Sequence, residues 1–335
     1  VGVPDPRLEK LAEVVARELS YTELRGTERE TTLKYPPIVP ATVRFVDIAG
    51  LVKGASAGAG LGNKFLSHVR EVSVIAHVVR AFEDPDIVKE GSVDVSTDYE
   101  TVRTELALAD LSSIAKISAK GRSASGGKNQ IELLEKIEKF LNDGKMFDIS
   151  DLSKEDSDFV RSLSLLSLKQ EIIVLNVSEE DYSGGKIKTV RDQYASIPGI
   201  SAQNVVVICA KIEAELAELS EEEQKEYLFD LGLKASGLER LIQKAYEELG
   251  LISFLTAGVK EVRAWTLRAG STALRASGEI HTDFMKKFIK AEVVSFADFV
   301  EFGGWKGARE HGKEILEGKD YVVKDGDIIE FKIGT

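Results

Sequence analysis

Three runs of β-favouring apolar residues constrain this chain more than any other feature: Val74-Ile75-Ala76-His77-Val78-Val79-Arg80, Ile172-Ile173-Val174-Leu175 and Val205-Val206-Val207-Ile208. A strand with one wet face alternates apolar and polar residues. A run that barely alternates is covered on both faces, as in a parallel sheet with helices on either side. Helical segments separate these runs, and Val43-Arg44-Phe45-Val46 reads as one more short strand, so the chain predicts a doubly wound α/β domain. Between Arg80 and Ile172 lie about 90 residues, far beyond what a simple crossover needs. That excess predicts an inserted module. Within it, Val102, Leu106, Ala109, Leu111, Ile114 and Ile117, then Ile131, Leu134, Ile137 and Leu141, recur at helical spacing, and Gly121 to Lys128 reads as a flexible tip. An antiparallel helical hairpin follows.

The flanks are readable in the same way. A helix is expected from Arg7 to Leu19 after the turn Pro4-Asp5-Pro6, and Arg17 to Pro37 reads as a polar surface insertion. Charged helices are expected at Glu213 to Phe229 and Leu238 to Leu249. Beyond Ile252, Val262 to Leu267 alternates like a strand and His281 to Ile289 reads as a short helix opened by its histidine. Tyr321-Val322-Val323 and Ile328 to Ile333 flank Lys324-Asp325-Gly326-Asp327, a hairpin signal. This last stretch predicts a compact α+β domain of about 80 residues. The domain boundaries expected are 1–95 with 166–253 for the α/β part, 96–165 for the helical insertion and 254–335 for the last domain.

Charge and cysteine content remove several functional classes. The chain carries 56 acidic and 44 basic residues, a net −12, which argues against a protein coated in positive charge for DNA. From Leu255 to Thr335 there are 13 of each sign, so the final domain is neutral and the acidity lies elsewhere. A single cysteine, Cys209, allows neither an internal disulfide nor a thiolate cluster for zinc, which fits a reducing, cytoplasmic setting. No apolar run approaches the roughly 20 residues a membrane span needs, so no membrane partner is expected. The chain opens on Val1-Gly2-Val3 with neither an initiator methionine nor a signal-peptide pattern, which predicts a piece in front.

The chemistry sits at strand ends. Asp47-Ile48-Ala49-Gly50 is an Asp-x-x-Gly: its carboxylate suits a water on Mg²⁺, and its glycine brings a backbone N–H towards a γ-phosphate. Asn176-Val177-Ser178-Glu179 follows a later strand, and Cys209-Ala210-Lys211 another, where base-reading residues of nucleotide-binding folds stand. A polar helix cap is the plainer reading of Asn176 to Glu179. The order of the three matches the GTPase superfamily.

Longer strings go further. Asp47 to Ser56, Gly60 to Leu66, Thr256-Ala257-Gly258-Val259-Lys260-Glu261-Val262-Arg263-Ala264-Trp265-Thr266 and Glu317 to Asp327 closely resemble the YchF/Obg-like ATPase family, and the resemblance runs almost end to end. It implies a P-loop NTPase domain, an inserted coiled coil and a carboxy-terminal ubiquitin-like TGS domain of β-grasp type. It also implies an ATP-hydrolysing switch that associates with the ribosome, with ATP preferred over GTP. Guanine-specific relatives use Asn-Lys-x-Asp, whose aspartate accepts from two guanine N–H donors. Here Val177 and Glu179 stand in those places, with Asn176, Cys209, Ala210 and Lys211 around the base. Asp47 would hold Mg²⁺ through a water, and Gly50 would sense the γ-phosphate.

Two departures stand out. No Gly-x-x-x-x-Gly-Lys-Ser/Thr occurs, and the resemblance implies about 40 residues ahead of Val1 that carry it. The chain as it stands is therefore expected to bind ATP weakly and hydrolyse it negligibly. The family's histidine in the loop at Asp86 to Glu90 is replaced by Lys89, a poor general base, so no catalytic base is assigned. His77, inside an apolar strand, reads as a satisfied core histidine. Lys116, Lys120, Arg122 and Lys128 gather positive charge near the hairpin tip, either a solvated surface or a contact to ribosomal RNA phosphates. The alternatives are a non-catalytic RNA- or ribosome-binding module and a GTP-preferring GTPase.

Overall fold

The structure is a computed structural model that describes residues 1–23, 35–48, 61–83, 94–121, 128–145, 147–149 and 151–334. The chain gathers into two compact units, one of residues 1–45 with 245–335 and one of residues 46–244. The first 45 residues, expected within the α/β part, thus group with the carboxy-terminal segment, to which they give helix α1 (Arg7–Glu23) and strand β1 (Ile38–Val39).

The 46–244 unit is built on three parallel strands, β2 (Val74–Arg80), β3 (Gln170–Asn176) and β4 (Val205–Ile208), in that order. All three fall where the apolar runs lie. Central β3 is covered on both faces, with Ile172, Ile173, Val174 and Leu175 buried. Strand β2 departs from the expectation: Val79 is buried, but Val78 is 62% exposed. Its apolar run is continuous in sequence yet covered on one face by the described residues. Val43 to Val46 forms no strand: an isolated bridge of Thr42 to Gly2 precedes it, Val43 exchanges backbone bonds with Val1, and Phe45 and Val46 are exposed. High β-propensity does not extend a strand past Val43, where the pairing with Val1 to Val3 stops.

Helix α2 (Leu61–Glu71) precedes β2. The insertion forms α3 (Val95–Gly121) and α4 (Lys128–Asn142), packed through Ile114, Leu134 and Ile137. A third helix, α5 (Lys154–Ser162), adds Val160 to that core; its Ser153 cap accepts the Asp156 N–H and was not anticipated. At the root of the hairpin the buried Asp110 accepts from the Leu166 N–H at 2.9 Å and from the Ser167 N–H and hydroxyl at 2.8 and 2.7 Å. After β3 come α6 (Gly184–Tyr194), α7 (Ala210–Leu216), α8 (Glu221–Asp230) and α9 (Gly237–Glu248). The single charged helix expected over Glu213 to Phe229 is therefore two. The first stops at Leu216 with Ala217 as its C-cap, and Ser220 begins the second through a capping box with Glu223.

In the other unit, β5 (Leu251–Ala257) and β6 (Val262–Arg268) form a hairpin, followed by α10 (Ala273–Ile280) and α11 (Thr282–Lys287). Then come β7 (Phe288–Ser295), α12 (Phe296–Glu301), α13 (Trp305–Glu310), β8 (Ile315–Glu317) and β9 (Asp327–Ile333). The sheet order is β1-β6-β5-β9-β7-β8, with β9 central and parallel to β5, as a ubiquitin-like β-grasp module requires. The helix expected from His281 to Ile289 stops at Lys287, and β7 begins at Phe288. His281 caps it, its Nδ1 accepting the Asp283 N–H at 3.2 Å. The expected hairpin is also corrected: Gly326 makes a turn at φ 84°, but Val322 bridges to Thr272 while β9 pairs with β5 and β7.

Candidate functional site

The carboxyl ends of β2, β3 and β4 open on one cavity of 1020 Å³, whose described lining residues all belong to the 46–244 unit. Parallel strands end together there, and loops leave the sheet in different directions, which is where α/β sheets make their binding crevices. Asn176, Val177 and Glu179 line it from the end of β3, and Cys209, Ala210 and Lys211 from the end of β4. The six strand-end residues singled out from the sequence thus lie around one space.

Local bonding fixes how they present themselves. The Ala210 N–H donates to Asn176 Oδ1 at 2.9 Å, which assigns the carboxamide oxygen to β4's loop and leaves the amino group to donate elsewhere. Asn176 thus does not cap the turn that follows it in the chain; its oxygen takes the first N–H of α7 instead, and Ser178, ahead of the short 3-10 turn Glu179–Asp181, makes no side-chain cap bond. Val177 is buried, its N–H donating to the Ile208 carbonyl at 2.8 Å, which continues the β3–β4 ladder past its formal end. Lys211 and Glu179 form an ion pair across the two loops, and that bond raises the Lys211 ammonium above its ordinary value. Cys209 is buried at the start of α7.

A partly buried network holds both loops. Glu213 Oε1 accepts from the Tyr182 hydroxyl at 2.8 Å and from the Gly237 N–H at 2.7 Å, and Oε2 from the Leu238 N–H at 3.1 Å. Arg240 donates to the Tyr182 hydroxyl at 3.1 Å and to the Val207 carbonyl at 3.0 Å. Burial, then the neighbouring Glu213, pushes the Tyr182 phenol far above its usual range, so it stays a donor.

The sign of the cavity says what it can take. Among the described residues, Glu83, Asp94, Glu179, Glu180 and Asp181 line it against one cation, Lys211, which is already paired. A polyanion is repelled from such a lining; a neutral heterocycle is not. Sequence reasoning missed Phe82, Tyr194 and the Asp94-Val95 start of α3, which also line it. Phe82 stands two residues beyond β2, so the strand-end rule applied to β3 and β4 would have found it.

Other predicted residues fall elsewhere. Asp47 is exposed and is not part of the cavity wall. Gly50, Lys89 and Arg122, and the side chains of Lys120 and Lys128, lie outside the described residues; Lys116 is exposed on α3. His77 is 9% exposed and bonded through Nδ1 to Glu171 at 2.7 Å, a satisfied core histidine. Among the described residues no cluster of three or more His, Cys, Asp or Glu could hold a metal, and no helix is long and apolar enough to cross a membrane.

The carboxy-terminal residues 251–334 match the YchF-GTPase C-terminal family, described as a protein of unknown function. Over its whole length the chain is 44% identical to the ribosome-binding ATPase YchF of Haemophilus influenzae, covering 88% of that protein. It is 37% identical to Obg-like ATPase 1 of Saccharomyces cerevisiae, covering all of this chain and 84% of that one. Among solved structures, the Schizosaccharomyces pombe YchF GTPase superposes with a TM-score of 0.82 at 34% identity, covering 99% of this chain and 86% of that one.

Proposed function

The chain belongs to the YchF/Obg-like ATPase family, and on that footing we propose that it is a ribosome-associated switch that binds ATP in preference to GTP and hydrolyses it to ADP in the cytoplasm. The observation that carries this is the cavity where Asn176, Val177 and the Cys209 to Lys211 loop meet. Its acidic lining suits an uncharged base better than phosphates. The Asn176 amino group, left free by the Ala210 bond, is a donor for a purine ring nitrogen. Glu179 sits where a guanine-reading carboxylate would, but it is engaged by Lys211. Guanine's two N–H donors therefore lose their free acceptor, a loss that hydrogen-bonding sites register strongly.

Asp47, a lone exposed carboxylate in the described structure, fits Mg²⁺ only through a water; the ion when bound would neutralise phosphate charge. The hairpin and the carboxy-terminal β-grasp unit, taken as a TGS domain, would read out the nucleotide state. The 335 residues contain no Gly-x-x-x-x-Gly-Lys-Ser/Thr, so by themselves they hold a triphosphate weakly and turn it over negligibly. Calorimetric titration with ATP and GTP tests both points. Weak binding with ATP ahead is expected; GTP equal or ahead would reverse the preference, and micromolar ATP affinity would remove the corollary.

A second reading, a nucleotide-independent ribosome-binding module, is favoured by the exposed Lys116 near the hairpin tip, with Lys120, Arg122 and Lys128 close in sequence. Ribosome co-sedimentation with and without ATP separates the two: an ATP-sensitive pellet supports the switch, an insensitive one the module.

A further inference from the structure

Arg80 is the last residue of β2 and pairs in register with Asn176. Its Nε–H donates to the Phe82 carbonyl at 3.1 Å, and its guanidinium lies over the Phe82 ring, 4.7 Å from the centroid. Its Nη2 is buried and has no hydrogen-bond partner, and among the described residues Arg80 forms no ion pair, although Glu83 stands three positions on. A buried guanidinium nitrogen without an acceptor is costly, so such an arrangement persists only where other contacts hold it. Here both contacts go to one residue, Phe82, which lines the cavity.

We infer that Arg80 is a positioning residue for base recognition: it clamps Phe82 by backbone and ring so that the free face of the phenyl forms a stacking wall for a planar purine. This rests on the reading of the cavity as a base site. The clamp needs a planar cation with a donor at Nε and a flat face for the ring together, which arginine supplies and lysine does not. The role is one of orientation. The Ala81 N–H donates to the Asn176 carbonyl at 2.8 Å, so the clamped loop is tied to the strand end that carries Asn176, and the wall and the donor are set together.

The test uses two probes on the 335-residue protein: adenosine, which has a base and no phosphate, and inorganic tripolyphosphate, which has the reverse. Arg80→Ala and Arg80→Lys are each expected to weaken adenosine binding about three- to tenfold, the range of a cation–π and stacking contact, with tripolyphosphate binding unchanged. Adding Arg80→Ala to Phe82→Ala should cost nothing further. Thermal unfolding checks each variant, and Arg80→Lys serves if the alanine variant does not fold. The inference is overturned if Arg80→Lys binds adenosine like wild type, if the two alanine effects add, or if tripolyphosphate binding falls instead, which would make Arg80 a phosphate ligand. If wild type itself takes no adenosine, the base site is lost first and this inference with it.

Discussion

Gly237 has no room for a side chain. A Cβ there would stand 2.8 Å from Glu213 Oε1, from Ile208 Cγ2 and from the Tyr182 hydroxyl. The glycine lets the start of α9 approach Glu213 closely enough for the Gly237 N–H to donate at 2.7 Å. Glu213 and the Tyr182 hydroxyl are held by their bonds to each other and to α9, and Ile208 is half-buried at the end of β4, so the neighbours have little room to give. Gly237→Ala should therefore destabilise the protein by about 1–3 kcal/mol, the usual cost of overpacking, read as a lower urea midpoint at unchanged slope. An unchanged midpoint would mean that the network relaxes freely. Nothing in the sequence around Gly237 announces this. It reads as an ordinary helix start, and its meaning comes from Tyr182 and Glu213, remote in the chain.

At the scale of elements, the clasp on α3 is the clearest case. Asp110 is 1% exposed, and burial raises its carboxyl above the ordinary 3.8 despite three donors that favour the charged form. The folded state therefore holds this proton more tightly than the unfolded chain. The site's contribution to stability is full below pH 3.8 and falls as pH rises through the raised value. Asp110→Asn should cost about 1–3 kcal/mol, because its amide N–H₂ would face N–H donors. The margin of wild type over this variant should shrink from acid towards neutral pH in denaturation curves; a margin that grows with pH would refute the sign. The elements themselves were legible wherever local pattern decides. Ile172 to Leu175 and the spaced apolar residues of α3 and α4 needed no distant information. Val43 to Val46 and Tyr321 to Val323 failed because a strand exists only through its neighbour. The long charged helix failed because a capping box at Ser220 outweighed helical propensity on either side.

At the scale of the molecule, the first helix belongs with the last domain. Leu8, Leu11 and Ala12 of α1 are buried in the unit that includes β5, β6 and α12, and Arg7 donates to Asp325 at 2.7 Å. Both tryptophans, Trp265 and Trp305, lie in that unit. Leu11→Ala should therefore lower the unfolding transition seen by tryptophan emission, by about 2–5 kcal/mol for a fully buried leucine. A variant that left tryptophan emission unmoved would show that α1 does not support this sheet. The sequence by itself determined the parallel strands, the helical insertion, the strand-end residues around the cavity and the family, because apolar period and short motifs are written locally. Only the tertiary structure decided that α1 joins the β-grasp unit, that β9 runs between β5 and β7, that Lys211 neutralises Glu179 and that Arg80 grips Phe82. Those depend on which distant surfaces meet, and the free energy of burying one face against another is not encoded in either face alone.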